Sequence, residues 1–184
     1  MQLQTQSPTR LRRAAGAAAL CFAGLALAAG AVHAQSVKGK DKSFLVNAAE
    51  AGNAEVAASK IALEKTQNPD VKKFAQKMID EHTKVGADLK QLASSKDVSV
   101  PSEPSVAQRG KIAILDKLSG TTFDKRYASM IGVTAHKDAV KLFQKASTSA
   151  QDPEVRSFAV KTLPDLQEHL QMGNDLKAKV DAAK

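Results

Sequence analysis

The chain has 184 residues, 25% of them charged and 4% aromatic, with a formal net charge of +8, one cysteine and no tryptophan. A single cysteine excludes an internal disulfide and a thiolate cluster. The basic residues are spread out and interleaved with acids, and few aromatics accompany them, which argues against a nucleic-acid footprint.

The N-terminal stretch points to export. Arg10, Arg12 and Arg13 precede Ala14–Ala31, an uncharged run of apolar and small residues, and Val32-His33-Ala34 follows as a small-x-small junction. This is the order of a secretory signal peptide, so cleavage is expected after Ala34 and the periplasm is the expected compartment. Eighteen apolar residues could just span a bilayer as an uncleaved anchor, but the run is rich in Ala and Gly and only weakly hydrophobic. Processing removes Cys21 and leaves 150 residues, Gln35–Lys184, with a net charge of +5 and no remaining membrane anchor. Residues 35–42 read as an unstructured linker and 43–182 as one helical domain.

Within that domain Ala, Lys, Leu, Gln and Glu dominate and Pro and Gly are scarce, a helical composition. The first helix is expected over Ser43–Thr66 with Ser43 as N-cap. A second opens at Asn68-Pro69, with Asn as cap and Pro at the first helical position, and runs to about Lys96. Asp97–Gly120 holds Pro101 and Pro104 and reads as a long crossover, with a short helix over Ser105–Leu118. A third long helix covers about Thr121–Ser149. The fourth opens at Asp152-Pro153 and reaches about Asp181, and Pro164 inside it should kink the helix or remove one backbone hydrogen bond. The segment from Asn68 repeats from Asp152 at an offset of 84, so each copy opens the second helix of a hairpin. Two tight helical hairpins joined by a long crossover predict an all-α, ferritin-like four-helix bundle.

Each helix carries an apolar stripe. The first has Leu45, Ala48, Val56 and Leu63; the second Val71, Phe74, Met78, Val85 and Leu89; the third Phe123, Met130, Val133, Val140 and Phe143; the fourth Val155, Phe158, Leu166, Leu170, Gly173 and Leu176. Four polar residues interrupt these stripes. Glu55 adjoins Val56, His82 falls between Met78 and Val85, His136 between Val133 and Val140, and His169 beside Leu166 and Gly173. Each lies near the middle of its helix, so all four are expected at one level of the bundle.

One carboxylate and three imidazoles in a bundle core could bind one divalent transition metal, and nitrogen-rich donors suit zinc, copper or iron. The alternative is a polar core alone, in which the imidazoles satisfy the buried carboxylate and set helix register. Asp165, Met78 and Met172 each stand within a turn of a site histidine and are further candidates; the methionines hint at copper, although Met is commonly plain packing. Asp80, Glu81 and Glu168 flank the histidines and read as solvated surface. Tyr127 reads as packing near a helix start. There is no phosphate loop, nucleophile elbow or paired carboxylate at catalytic spacing, so binding is favoured over catalysis.

Phe44-Leu-Val-Asn-Ala-Ala-Glu-Ala-Gly-Asn-Ala-Glu55-Val, Met78-Ile-Asp-Glu-His82, Phe123-Asp-Lys-Arg-Tyr127 and Thr162-Leu-Pro-Asp-Leu-Gln-Glu-His169-Leu together resemble the bacterial domain-of-unknown-function family 4142. The likeness spans about Ser43–Leu176. It implies an exported, ferritin-like protein in which Glu55, His82, His136 and His169 recur, and it implies no particular activity. The di-iron pattern of ferritins is broken: Ile79 and Leu166 stand where a Glu would precede His82 and His169 by three residues, and His136 replaces a helix-three Glu. The expected role is metal handling or a stress response in the envelope, or an interaction module with no ligand. A metal ion and a second copy of the chain are the partners allowed for.

Overall fold

The computed structural model describes residue 37 and residues 39–183. The signal segment, its cleavage after Ala34 and Cys21 lie outside the described residues. The secondary structure of those residues is helical throughout, with no strand.

Helix α1 spans Lys40–Lys65. It opens three residues before the expected start, after Gly39 at φ 62°, a left-handed conformation that favours glycine. Ser43 is therefore not the cap; its Oγ donates back to the Gly39 carbonyl at 3.0 Å. Lys40–Lys42, expected in the linker, are helical because Asp41 has a distant job. Its buried carboxylate accepts from the backbone N–H groups of Gln151 and Asp152, both at 2.8 Å. No local pattern could have announced that contact.

Helix α2 spans Pro69–Ser95 and opens as expected, with Asn68 Oδ1 accepting from the N–H of Asp70 and of Val71. Thr66, in the turn before it, donates to Asp124 Oδ1 at 2.6 Å and accepts from the Asn68 N–H. The crossover is held to α1 where Asn53 Nδ2 donates to the Pro101 carbonyl at 3.1 Å. Helix α3, Val106–Asp116, begins with a capping box between Ser105 and Gln108.

The third long helix has the expected extent but not a uniform winding. It comprises α4 (Gly120–Tyr127), a π-helical segment (Ala128–Ala135) and α5 (His136–Ser149). Helix α6, Pro153–Ala182, is capped by Asp152, whose Oδ1 accepts from the N–H of Glu154 and of Val155. Lys96, from the end of α2, pairs with Asp152 at 3.0 Å and Glu154 at 2.6 Å. Pro164 lies within α6, which runs through it. Among the described residues no helix is long and apolar enough to cross a membrane.

Helices α1 and α2 pack along each other, as do α5 and α6, while α2 meets α6 and α1 meets α5. The core divides into two apolar clusters. One contains Phe44, Leu45, Leu89, Phe143, Val155 and Leu166. The other contains Phe74, Met78, Phe123, Tyr127, Leu176 and Val180. Following any long helix, membership switches from one cluster to the other at one place: Glu55 on α1, His82 on α2, His136 on α5 and His169 on α6. A polar layer therefore separates two dry cores. Burying each large side chain in them stabilises the fold by roughly 1.5–3 kcal/mol.

Two details of the expected stripes change. Val56 and Leu63 are only half-buried, and α1 buries Ala54, Ala58 and Ala62 instead. Met130 and Val140 are likewise half-buried, while Tyr127, one turn after Phe123, and Ile131, inside the π segment, enter the core.

Gly132 of the π segment and Gly173 of α6 touch backbone to backbone. A Cβ on Gly173 would stand 1.9 Å from the Gly132 carbonyl oxygen, an atom with no freedom to retreat. Gly173→Ala should destabilise the protein by about 2 kcal/mol or more. A Cβ on Gly86, inside α2, meets nothing within 4 Å, so Gly86→Ala should stabilise it by about 1 kcal/mol through helix propensity. Urea denaturation measures both; a Gly173→Ala variant as stable as the parent would contradict the close crossing.

Candidate metal centre

Four helices each deliver one buried polar side chain to the layer: Glu55 from α1, His82 from α2, His136 from the first residue of α5 and His169 from α6. The three imidazole centroids are 5.2–5.4 Å apart. Each ring offers a nitrogen, and these nitrogens lie within 4.8 Å of one another, so the three histidines could hold a metal ion.

His82 Nδ1 lies 3.1 Å from Glu55 Oε2. On the other two rings the proton is placed by a hydrogen-bond partner. His136 Nδ1–H donates to the Ile131 carbonyl at 2.8 Å. His169 Nε2–H donates to the Glu81 carboxylate. Carbonyl and carboxylate oxygens only accept, so in the neutral His136 and His169 rings the other nitrogen carries a bare lone pair. These are His136 Nε2, which shares a 3.3 Å contact with His82 Nε2 whose direction is set by the His82 tautomer, and His169 Nδ1, which is buried without a hydrogen-bond partner among the described residues.

The π segment supplies the His136 acceptor. The His136 backbone N–H turns to the Val133 carbonyl, which leaves the Ile131 carbonyl, five residues back, to the side chain. Thr134 Oγ1 takes the Ser129 carbonyl in the same way at 3.0 Å. The inward residues Phe123, Tyr127, Ile131, His136 and Ala139 show the phase shift directly, with a step of five at the widened turn. Such turns recur at functional sites because they re-aim a side chain.

Burial lowers the pKa of His82; the Glu55 carboxylate opposes this, and charge on His136 or His169 would lower it further. Burial likewise lowers that of His169 against the opposing pull of Glu81. Both rings are thus held neutral, the form that ligates metals. Partial burial works against ionisation of Glu81, but its bonds to Lys77 and His169 bring it below the ordinary carboxylate value. Glu55 Oε1 is buried without a hydrogen bond, 3.9 Å from His136 Nδ1.

The other candidates are placed as follows. Met78 and Met172 belong to the Tyr127 cluster beside the polar layer. Asp165 is exposed on the wall of a groove that reaches His169, and the partner of that histidine is Glu81 instead. Tyr127 is fully buried; its hydroxyl shares a 2.8 Å hydrogen bond with Ser59, and burial pushes its pKa far up, so it stays protonated. Glu81 is the residue that sequence reasoning sent to the surface. Its neighbour His82 points inward, which turns Glu81 about 100° away on the helix, and only the packing of α2 on α6 brings it to His169. The i,i+4 pair with Lys77, at 2.6 Å, is its one local signal.

The lowered histidine pKa values have a consequence for stability. In the unfolded chain these imidazoles titrate near 6.5, so on acidification the unfolded state takes up protons first. His82 faces Glu55, His136 and His169 from the three other helices, and Glu81 on its own helix. For the metal-free protein, stability should be full above pH 6.5 and fall as the pH drops below it. The urea midpoint followed from about pH 8 to about pH 5 checks this; a midpoint that rises on acidification would show that the rings are held charged.

The sequence pattern of the domain of unknown function DUF4142 matches residues 26–176, which takes in all four residues of the polar layer and Glu81. No curated protein and no solved structure matches the chain. By the extent of that match, this chain belongs to the DUF4142 family.

Proposed function

We propose that the protein binds one divalent transition metal through His82, His136 and His169, and that it does so as an exported, ferritin-like four-helix bundle in the periplasm. The observation that carries this reading is the convergence of three buried imidazoles, whose ring nitrogens lie within 4.8 Å of one another, with His169 Nδ1 left without a hydrogen-bond partner among the described residues. The 3.3 Å between His82 Nε2 and His136 Nε2 also suits a shared metal. Two nitrogens at about 2.0–2.1 Å from a tetrahedral ion are about 3.3–3.4 Å apart.

Three imidazoles suit zinc, copper or iron. Each is oriented by an oxygen on its other nitrogen, the arrangement that metal-ligating histidines ordinarily have. Glu55 meets His82 in this way, and its second oxygen is buried beside the ligands without a hydrogen bond. A metal so bound supplies Lewis acidity, or one-electron chemistry in the case of copper or iron. The single buried carboxylate of the layer does not suit a di-iron centre, so binding in metal handling or envelope stress is favoured over catalysis. The bundle topology is supported by the two hairpins, α1–α2 and α5–α6, and the crossover through α3 that joins them. Export rests on the charged, apolar and small-residue order of the first 34 residues.

Untagged protein freed of metal and titrated with zinc, copper and ferrous iron should take up close to one equivalent of at least one of them. Its melting temperature should rise, because ligand at about a hundred times Kd adds about 2.7 kcal/mol. His82→Ala should lose the metal, and Glu55→Gln should weaken binding roughly 10–100-fold. If elemental analysis and thermal melts find no response to any of the three ions, the layer is a polar core that sets register and the protein is a structural or interaction module.

A further inference from the structure

The three oxygens that hold the histidines differ in one respect. Glu55 is 1% exposed and the Ile131 carbonyl belongs to a buried residue, whereas the Glu81 side chain is 41% exposed. We propose that Glu81 is the positioning residue that governs metal exchange, and that the ion enters and leaves through the groove between α2 and α6. This rests on the metal reading above.

That groove, of about 390 Å³, is lined by Glu81, His82, Asp165, Glu168 and His169. It is the groove that meets two of the three ligands. A groove of about 530 Å³ between α1 and the crossover reaches the layer at Glu55 and His82, and one of about 360 Å³ against the π segment reaches it at Glu55. Entry by either passes Glu55, a buried carboxylate paired with His82. Entry past Glu81 moves a carboxylate already in contact with water.

The path of that movement is also on hand. Lys77 Nζ lies 2.6 Å from Glu81 Oε1 and 3.5 Å from Glu168, so Glu81 can release His169 while its other oxygen stays paired. No helix has to shift. While Glu81 is engaged it keeps the proton of His169 on Nε2 and so leaves Nδ1 bare for the metal. Once Glu81 swings away, the ring is free to turn or to change tautomer, and His169 is the ligand that lets go first.

Zinc transfer from the loaded protein to a chromophoric chelator, followed by stopped flow, tests this. Glu81→Ala should accelerate release at least tenfold, and His169→Ala at least as much. The double variant should release zinc no faster than His169→Ala alone, because Glu81 acts through that histidine. Glu81→Gln, whose amide oxygen still accepts from Nε2–H, should fall between the parent and Glu81→Ala. Glu81→Ala also takes the acceptor from a buried imidazole and should lower the metal-free melting temperature, so the double variant and the rescue by Glu81→Gln, not stability, separate positioning from a structural role. Gly86→Leu, which fills the α1–crossover groove, should leave the rate unchanged. Release unaltered by Glu81→Ala, or multiplied further in the double variant, would overturn the role of Glu81. Slowing by Gly86→Leu would overturn the route. A parent protein that holds no zinc, copper or iron would instead overturn the metal reading itself.

Discussion

An ionised carboxylate taken out of water costs several kcal/mol even after the protein relaxes around it, and a single good hydrogen bond only partly offsets that. Glu55 is buried in the layer, with one oxygen 3.1 Å from His82 Nδ1 and the other without a hydrogen bond among the described residues. The rest of the site is built around that contact. The other nitrogen of His82 lies 3.3 Å from His136 Nε2, and the proton of His136 is committed to the Ile131 carbonyl. The layer gathers three imidazoles whose nitrogens could together hold a metal ion.

The same layer organises the fold. Because each long helix passes from one apolar cluster to the other at its polar residue, the four helices are locked in register. A slip of one turn, 5.4 Å, would drive an imidazole or a carboxylate into a dry core, where an unpaired polar group costs about 1–3 kcal/mol. Polar ties at the helix ends hold the same register: Asp41 to the α5–α6 turn, Thr66 to Asp124, and Lys96 to the cap of α6.

Two departures from ideal geometry serve the layer. The π segment spends regular backbone pairing to free the Ile131 carbonyl for His136. Directly beside it, Gly132 and Gly173 let α6 approach at backbone distance, which carries His169, one turn away, toward the other rings. The chain belongs to the DUF4142 family, a domain of unknown function, and its buried histidine group differs from a di-iron centre in having nitrogen where carboxylates would dominate.

Much of this was legible in the residues alone. The four long helices follow from local rules: period-3.6 stripes, with Asn68-Pro69 and Asp152-Pro153 as start signals for two of them. The inward direction of Glu55, His82, His136 and His169 follows from the same periodicity, because a side chain's face on a helix depends only on its neighbours. What the tertiary structure decided depends on groups far apart in the chain. Helix α1 begins at Lys40 because Asp41 caps a turn 110 residues away. Glu81 belongs to the site because α6 lies beside it, and the bare nitrogens of His136 and His169 depend on acceptors that no spacing rule can supply. Periodicity says which way a side chain points; which atom it meets there is set by the relative rotation and height of packed helices, and that emerges only when both cores close around the polar layer.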